Sequence, residues 1–212
     1  MRQKQSDFLN LNARELILFR KLNSPKKIQD FLEAVPINFD HKKDTCASPR
    51  TMLRKNKAHC IEGAFFAAAV LWFHGQKPLL LDLQAVDDDY DHVVALFRGK
   101  KGYWGAISKT NHAVLRYREP VYKSVRELTL SYFHEYFDDG GRKNLRAFSR
   151  PFNLAKFGNG WITSNTDLWH IAEALDDSPH FKILTRSMIS QLRRADAIEI
   201  KAGKLIEWKR KS

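Results

Sequence analysis

The sequence predicts an α+β fold: a buried central helix packed on an antiparallel sheet, with a small C-terminal extension. Three observations predict it. Helix-capping signals crowd the first quarter of the chain. One segment, "CIEGAFFAAAVLWF", is apolar on nearly every side, as a helix enclosed on all faces must be. After it the apolar residues come in short runs parted by turn residues, the pattern of a sheet.

The elements follow in order. Asn12 followed by Glu15 has the form of a capping box, so a helix is expected from Ala13 to Lys21. Ser24-Pro25 joins an N-cap to an N1 proline and opens a second helix, to about Ala34. "VPINFDHKKDTCASPR" reads as a long loop, and its Ser48-Pro49 repeats the signal to open a short basic helix. The central helix runs from Cys60 to His74, and Gly75 is its natural stop. "PLLLDLQA", "HVVALFR" and "YWGAISK" read as strands, parted by "DDDYD" and by the turn "GKKG". A further helix is expected from about Lys123 to Phe137, ended by Gly140-Gly141. Near the end, "SNTDLWHIAEAL" and "TRSMISQLRRAD" read as helices and "AIEIKAGKLIEW" as a hairpin. The expected division is a core over 1–150 and an extension over 151–212. That extension either packs back on the core or forms a wing-like nucleic-acid module.

Composition narrows the function classes. The chain has 212 residues, 43% hydrophobic and 28% charged, which suits a globular core with an appendage. The longest apolar run, Gly63 to Phe73, falls short of the roughly 20 residues of a membrane span. Arg2 and Lys4 precede no apolar leader, so no signal peptide is expected. Cys46 and Cys60 make no disulfide framework, and a reducing cytoplasm is the expectation. The net charge of +12 attracts anionic partners, nucleic acid among them. No glycine-rich phosphate loop is present, which argues against ATP or NAD. Cys46, His59, Cys60 and His92 lack zinc-site spacing, and "DDDYD" lacks the glycine and closing glutamate of a calcium loop. No metal or cofactor is expected, and the acidic loop reads either as a solvated loop or as a lip of the cleft that favours a cationic substrate.

One constellation carries chemistry. A thiol attacks as thiolate, and a helix start lowers its pKa through the dipole and free N–H groups. A histidine must take the proton, and a third group must hold the imidazole. Cys60 opens the central helix, and His92 opens a strand beyond it.

This order resembles the transglutaminase-like superfamily of papain-like thiol enzymes. The resemblance covers roughly Ser24 to Phe137. "AHCIEGAFFAAAVLWFHGQKP" corresponds to the nucleophile helix, "YDHVVALF" to the histidine strand and "GYWGAISKT" to the strand of the third residue. It implies Cys60 as nucleophile and His92 as general base. It also implies acyl transfer at amide bonds of a peptide or protein through a thioester, with no cofactor. The outcome would be peptide hydrolysis, deamidation or crosslinking of glutamine side chains, or deglycosylation.

The chain departs from the family at the third position, where Ser108 stands in place of the usual aspartate. A three-residue loop over Gly99 to Lys101 would face His92 with Ser108, whereas a two-residue turn would face it with Lys109. Asn111, just past the strand, is the alternative acceptor. Neither serine nor asparagine supplies a negative charge. Two readings therefore stand: a thiol enzyme, or a catalytically silent homologue serving as a basic nucleic-acid or protein binding module. An oxyanion hole would pair the Cys60 N–H with Asn56 or His59. Trp104 and Asp91 are candidate cleft residues. Glu62 reads as a helix N-terminal carboxylate, and Arg116 and Arg118 as a carboxylate grip or a salt-bridged loop. The remaining histidines, His180 among them, read as packing or surface residues.

Overall fold

The computed structural model describes residue 8 and residues 10–39 and 45–209. Part of the loop expected after Val35, His41 included, lies outside the described residues, as does the basic end at Arg210 and Lys211. Four helices lead: α1 (Ala13–Lys21), α2 (Pro25–Ala34), α3 (Pro49–Lys55) and α4 (Cys60–Phe73). Their starts match their capping chemistry. Asn12 and Glu15 exchange bonds of 3.0 and 2.8 Å across the first turn of α1. Ser24 and Ser48 cap the N3 amides of α2 and α3, each ahead of a proline.

Three strands follow, β1 (Leu79–Gln84), β2 (His92–Arg98) and β3 (Trp104–Ile107), then β4 (Arg118–Tyr122) and α5 (Val125–Phe133). The remainder supplies β5 (Ala147–Ser149), β6 (Phe152–Asn153), α6 (Trp169–Asp176), β7 (His180–Lys182), α7 (Arg186–Ser190) and α8 (Ala197–Gly203). All sheet pairings are antiparallel, in the order β4-β3-β2-β1-β5-β7, with β6 also on β1.

The period-two alternation of the central strands divides the core. Leu80, Val93, Ala95, Phe97 and Ile107 pack with α4, while Leu81, Leu83, Val94, Leu96 and Ala106 pack with Leu128, Tyr132 and Phe133 of α5. Because β1 and β2 are covered on both faces, their sequences read as near-continuous apolar runs. Helix α4 is buried from Glu62 to Phe73. Phe66 meets Phe19 and Phe31 on one side, and Trp72 stacks on Trp161 on the other. Residues after 150 thus complete both the α4 face and the sheet edge.

Several expectations are corrected. "AIEIKAGKLIEW" holds helix α8 rather than a hairpin: Asp196 and Glu199 form a capping box, which prevails over the apolar-polar alternation. Helix α5 is shorter than 123–137, because Ser124 caps its start and His134 its end. Gly140 and Gly141 instead form a turn with Asp138. "REPVY" is a strand, and its Pro120 is tolerated because β4 lies at the sheet edge. No helix among the described residues is long and apolar enough to cross a membrane.

Candidate active site

A cleft of about 330 Å³ opens where α4 begins and β2 enters the sheet, and Cys60, His59, His92, Lys109 and Asp91 line it. The start of α4 is fixed from below by Glu62, which is 1% exposed. Its carboxylate accepts from the His59 N–H (2.8 Å), the Ala47 N–H (2.8 Å) and the Thr45 hydroxyl (2.7 Å). The loop before α3 is thereby tied to the turn carrying Cys60. Glu62 is a structural clamp with its oxygens occupied.

The thiol faces two backbone amides, its neighbour Ile61 and, across the cleft, Val93. The strand pairing explains the second. Asp82 sits opposite Val93 but sends its own N–H outward to the Ser149 hydroxyl, 2.9 Å. The two are then a non-hydrogen-bonded pair, and the Val93 N–H points away from β1. On that side β3 ends at Ile107, opposite Ala95. The amide is thus free of the ladder and turns to the sulfur. Burial is the largest influence and pushes the Cys60 thiol up; the two amides oppose it, and the Asp82 and Glu62 carboxylates add to it.

His92 is 7% exposed, and its Nε2 lies 2.8 Å from the Ser108 hydroxyl oxygen. That hydroxyl donates its only proton to the Leu115 carbonyl. Toward the ring it is therefore an acceptor, and Nε2 carries the proton. This tautomer leaves Nδ1 with a free lone pair. Burial holds the His92 pKa down at about 4, partly offset by the Leu115 carbonyl, so the ring is a neutral base at pH 7.

Leu115 adopts φ 59, a left-handed conformation uncommon for a bulky residue. Its N–H is held by Glu135 (2.9 Å), and Glu135 is itself gripped by Arg118 (2.7 Å). The chain Arg118–Glu135–Leu115–Ser108–His92 orients the imidazole from outside. Neither Leu115 nor Glu135 was foreseeable: a positive φ at leucine leaves no mark in the sequence. The Arg118 grip proves to be an internal ion pair, and Arg116 pairs with Glu33 and Glu207.

Neither expected register is found: the pairing lies two residues from that of the three-residue loop and one from that of the two-residue turn. Arg98 pairs with Trp104 and Ala95 with Ile107, and the turn closes through the Gly99 N–H to the Tyr103 carbonyl. Extended, this register sets His92 against Thr110, with Ser108 two residues away on the same face. A two-residue slip conserves the face, so Ser108 still reaches the ring and Lys109 does not. Lys109 crosses the start of α4 and donates to the Val35 carbonyl; burial pulls its pKa down to about 8.

Asn111 spends its side chain on the Trp208 backbone, at 3.0 and 2.8 Å, and not on His92. Asn56 is exposed, caps the end of α3 at φ 48 and does not line the cleft; its place as an oxyanion donor is withdrawn, because a helix C-cap turns it away. His59 does line the cleft, and its Nε2 is buried without a hydrogen-bond partner among the described residues. Trp104 is corrected too. It lies at the far end of β3, under the Arg98 guanidinium at 3.6 Å, because the strand runs away from the cleft toward the hairpin turn. Asp91 stands at the lip, accepting from the Ala85 N–H; burial raises its pKa to about 6. His180 pairs with the buried Asp82 at 3.0 Å, and that bond raises its pKa. The described residues hold no cluster of three or more metal-ligating groups. Cys46 is fully buried, and burial pushes its thiol up to about 12.

No protein-family model and no curated protein matches this chain.

Proposed function

We propose that the chain is a cysteine-dependent hydrolase or acyltransferase acting on amide bonds of a peptide or protein, with the papain-like arrangement of the transglutaminase-like superfamily. The observation that carries the reading is the oriented imidazole. Ser108 can only accept from His92, so the proton sits on Nε2 and Nδ1 keeps its lone pair, in a residue that lines the cleft together with Cys60.

In this reading the resting pair is neutral thiol and neutral imidazole. As the substrate carbonyl seats, His92 Nδ1 takes the thiol proton and the sulfur attacks the carbonyl carbon. The tetrahedral oxyanion is met by the Cys60 N–H, a helix-start amide with no intrahelical partner, and by the His59 ring as second donor. Collapse breaks the C–N bond, and the leaving amine takes the proton from His92. Water or a second amine then attacks the thioester, with His92 accepting its proton, and Cys60 is released. Serine orients the ring without charging it, so imidazolium is less stabilised than an aspartate would make it. The nucleophile is generated on demand, not stored as an ion pair.

The test is site-resolved alkylation of Cys60 by iodoacetamide across pH. With the thiol pKa raised, Cys60 acting alone would react more slowly than a free cysteine at neutral pH; expected is a rate well above that thiolate-limited level, lost in His92→Ala. A rate that only follows the thiolate fraction and is unchanged in His92→Ala would remove catalysis. Salt-dependent binding to random RNA or DNA would then favour the silent binding module.

A further inference from the structure

The last described stretch of the chain lies along the wall of the same cleft. Ile200, Gly203 and Lys204 line it beside Asn111 and His112. Residues 205–208 run antiparallel to 111–113, with a bridge between His112 and Ile206. The Ala113 N–H donates to the Leu205 carbonyl at 3.0 Å, and the Glu207 N–H donates to the Asn111 carbonyl at 2.9 Å. Asn111 closes the pairing through its side chain, bonding the Trp208 N–H and carbonyl. A ring nitrogen of His112 meets the Gly203 carbonyl at 2.9 Å, and Arg116 pairs with Glu207 at 3.1 Å.

Two properties set this arm apart. Its attachment is mostly polar: Ile198, Leu205 and Ile206 remain 72%, 63% and 43% exposed, and its apolar anchors are few, Ile200 against Gly141, Gly203 against the Phe137 ring and the half-buried Trp208. Segments held that way occupy the low end of local stability. Its pairing is also made by main-chain groups of residues 111 and 113, an i, i+2 edge just past Ser108. An edge of that kind accepts any extended peptide, whatever its side chains.

We propose that residues 197–208 are an autoinhibitory strap, occupying in cis the edge on which an extended peptide substrate pairs beside Cys60. The strap must lift for a peptide to enter. This rests on the reading of the cleft as a substrate site, but its test follows access rather than turnover.

The full-length chain carrying Asn111→Ala, which loses both side-chain bonds to Trp208, is compared with wild type; Glu207→Pro, which removes the donor to the Asn111 carbonyl, is the second variant. Labelling of Cys60 by a bulky maleimide should rise by about tenfold, the change in opening equilibrium that two lost hydrogen bonds produce. Labelling by small methyl methanethiosulfonate should barely change. A fluorescent synthetic peptide of residues 197–212 should bind Glu207→Pro more tightly than wild type and reverse its gain in bulky labelling, and should gain nothing on Asn111→Ala, whose edge has lost the same bonds to Trp208. Amide exchange over 205–208 reports whether the arm has been released.

Released arms with an unchanged bulky-to-small ratio, or a released Glu207→Pro arm with no added affinity for the peptide, would overturn the proposal. So would arms that stay protected in both variants, since the segment would then be a fixed wall. Slow labelling by both reagents in every form would count against the thiol chemistry alone, and peptide binding would still decide the strap.

Discussion

Gly63 and Lys109 meet with no room for a methyl group between them: a Cβ at position 63 would lie 2.5 Å from the Lys109 Cβ. This contact sets how closely the first turn of α4 approaches the segment that follows Ser108. In Gly63→Ala the helix gains about 1 kcal/mol of propensity and loses about 1–3 kcal/mol to overpacking. A net loss of about 1 kcal/mol is expected from urea denaturation, with slower Cys60 alkylation as the two walls are pushed apart.

Ser108→Ala removes the acceptor that fixes the His92 tautomer. The hydrogen bond is worth about 1 kcal/mol, so alkylation of Cys60 should slow by about tenfold or less. The ring should show a mixture of Nδ1–H and Nε2–H forms by nitrogen NMR. A ring that keeps a single Nε2–H form in the variant would mean that Leu115 alone orients it.

Acid stability should report the buried imidazole. The folded-state pKa of His92 is depressed, from 6.5 to about 4, by burial. Between those values the unfolded chain binds a proton that the folded chain does not. The stabilising contribution is therefore complete above about pH 6.5 and is lost as pH falls toward 4. The loss is roughly 3 kcal/mol. His92→Gln, which cannot titrate, should flatten the denaturation midpoint across this window relative to wild type.

Glu62→Ala strands three donors, the His59 N–H at the start of α4 and the Ala47 N–H and Thr45 hydroxyl of the loop before α3. Loss of about 3 kcal/mol is expected, since bonds to a charged acceptor are the stronger kind. Glu62→Gln keeps the shape and one acceptor, and should cost about half as much. Denaturant midpoints at unchanged slope distinguish these outcomes from a change in the unfolded state.

The legible parts of this fold are those with a local cause. Asn12 with Glu15, Ser24-Pro25 and Ser48-Pro49 announce helices through side chains that satisfy nearby amides. Cys60 and His92 stand out because each opens an element. The same capping logic was present at Asp196 and Glu199, but the alternation in "AIEIK" obscured it. Strands β5, β6 and β7 are two or three residues long and exist only because β1 and β5 offer edges to pair with. The supports of the site are less legible still. Leu115, Glu135 and the Asp82–His180 pair are joined across 17 to 98 positions, and no spacing rule links residues brought together by tertiary packing.

The order of synthesis meets a constraint in this architecture. Helix α4 leaves the ribosome early, but its outer face is covered by Trp161, Ile171 and Leu175, and β5 waits for β7. A nascent chain stopped at Arg150 would carry its most apolar helix with one flank bare to water. Until the last quarter emerges, that flank is an adhesive surface, open to any apolar neighbour.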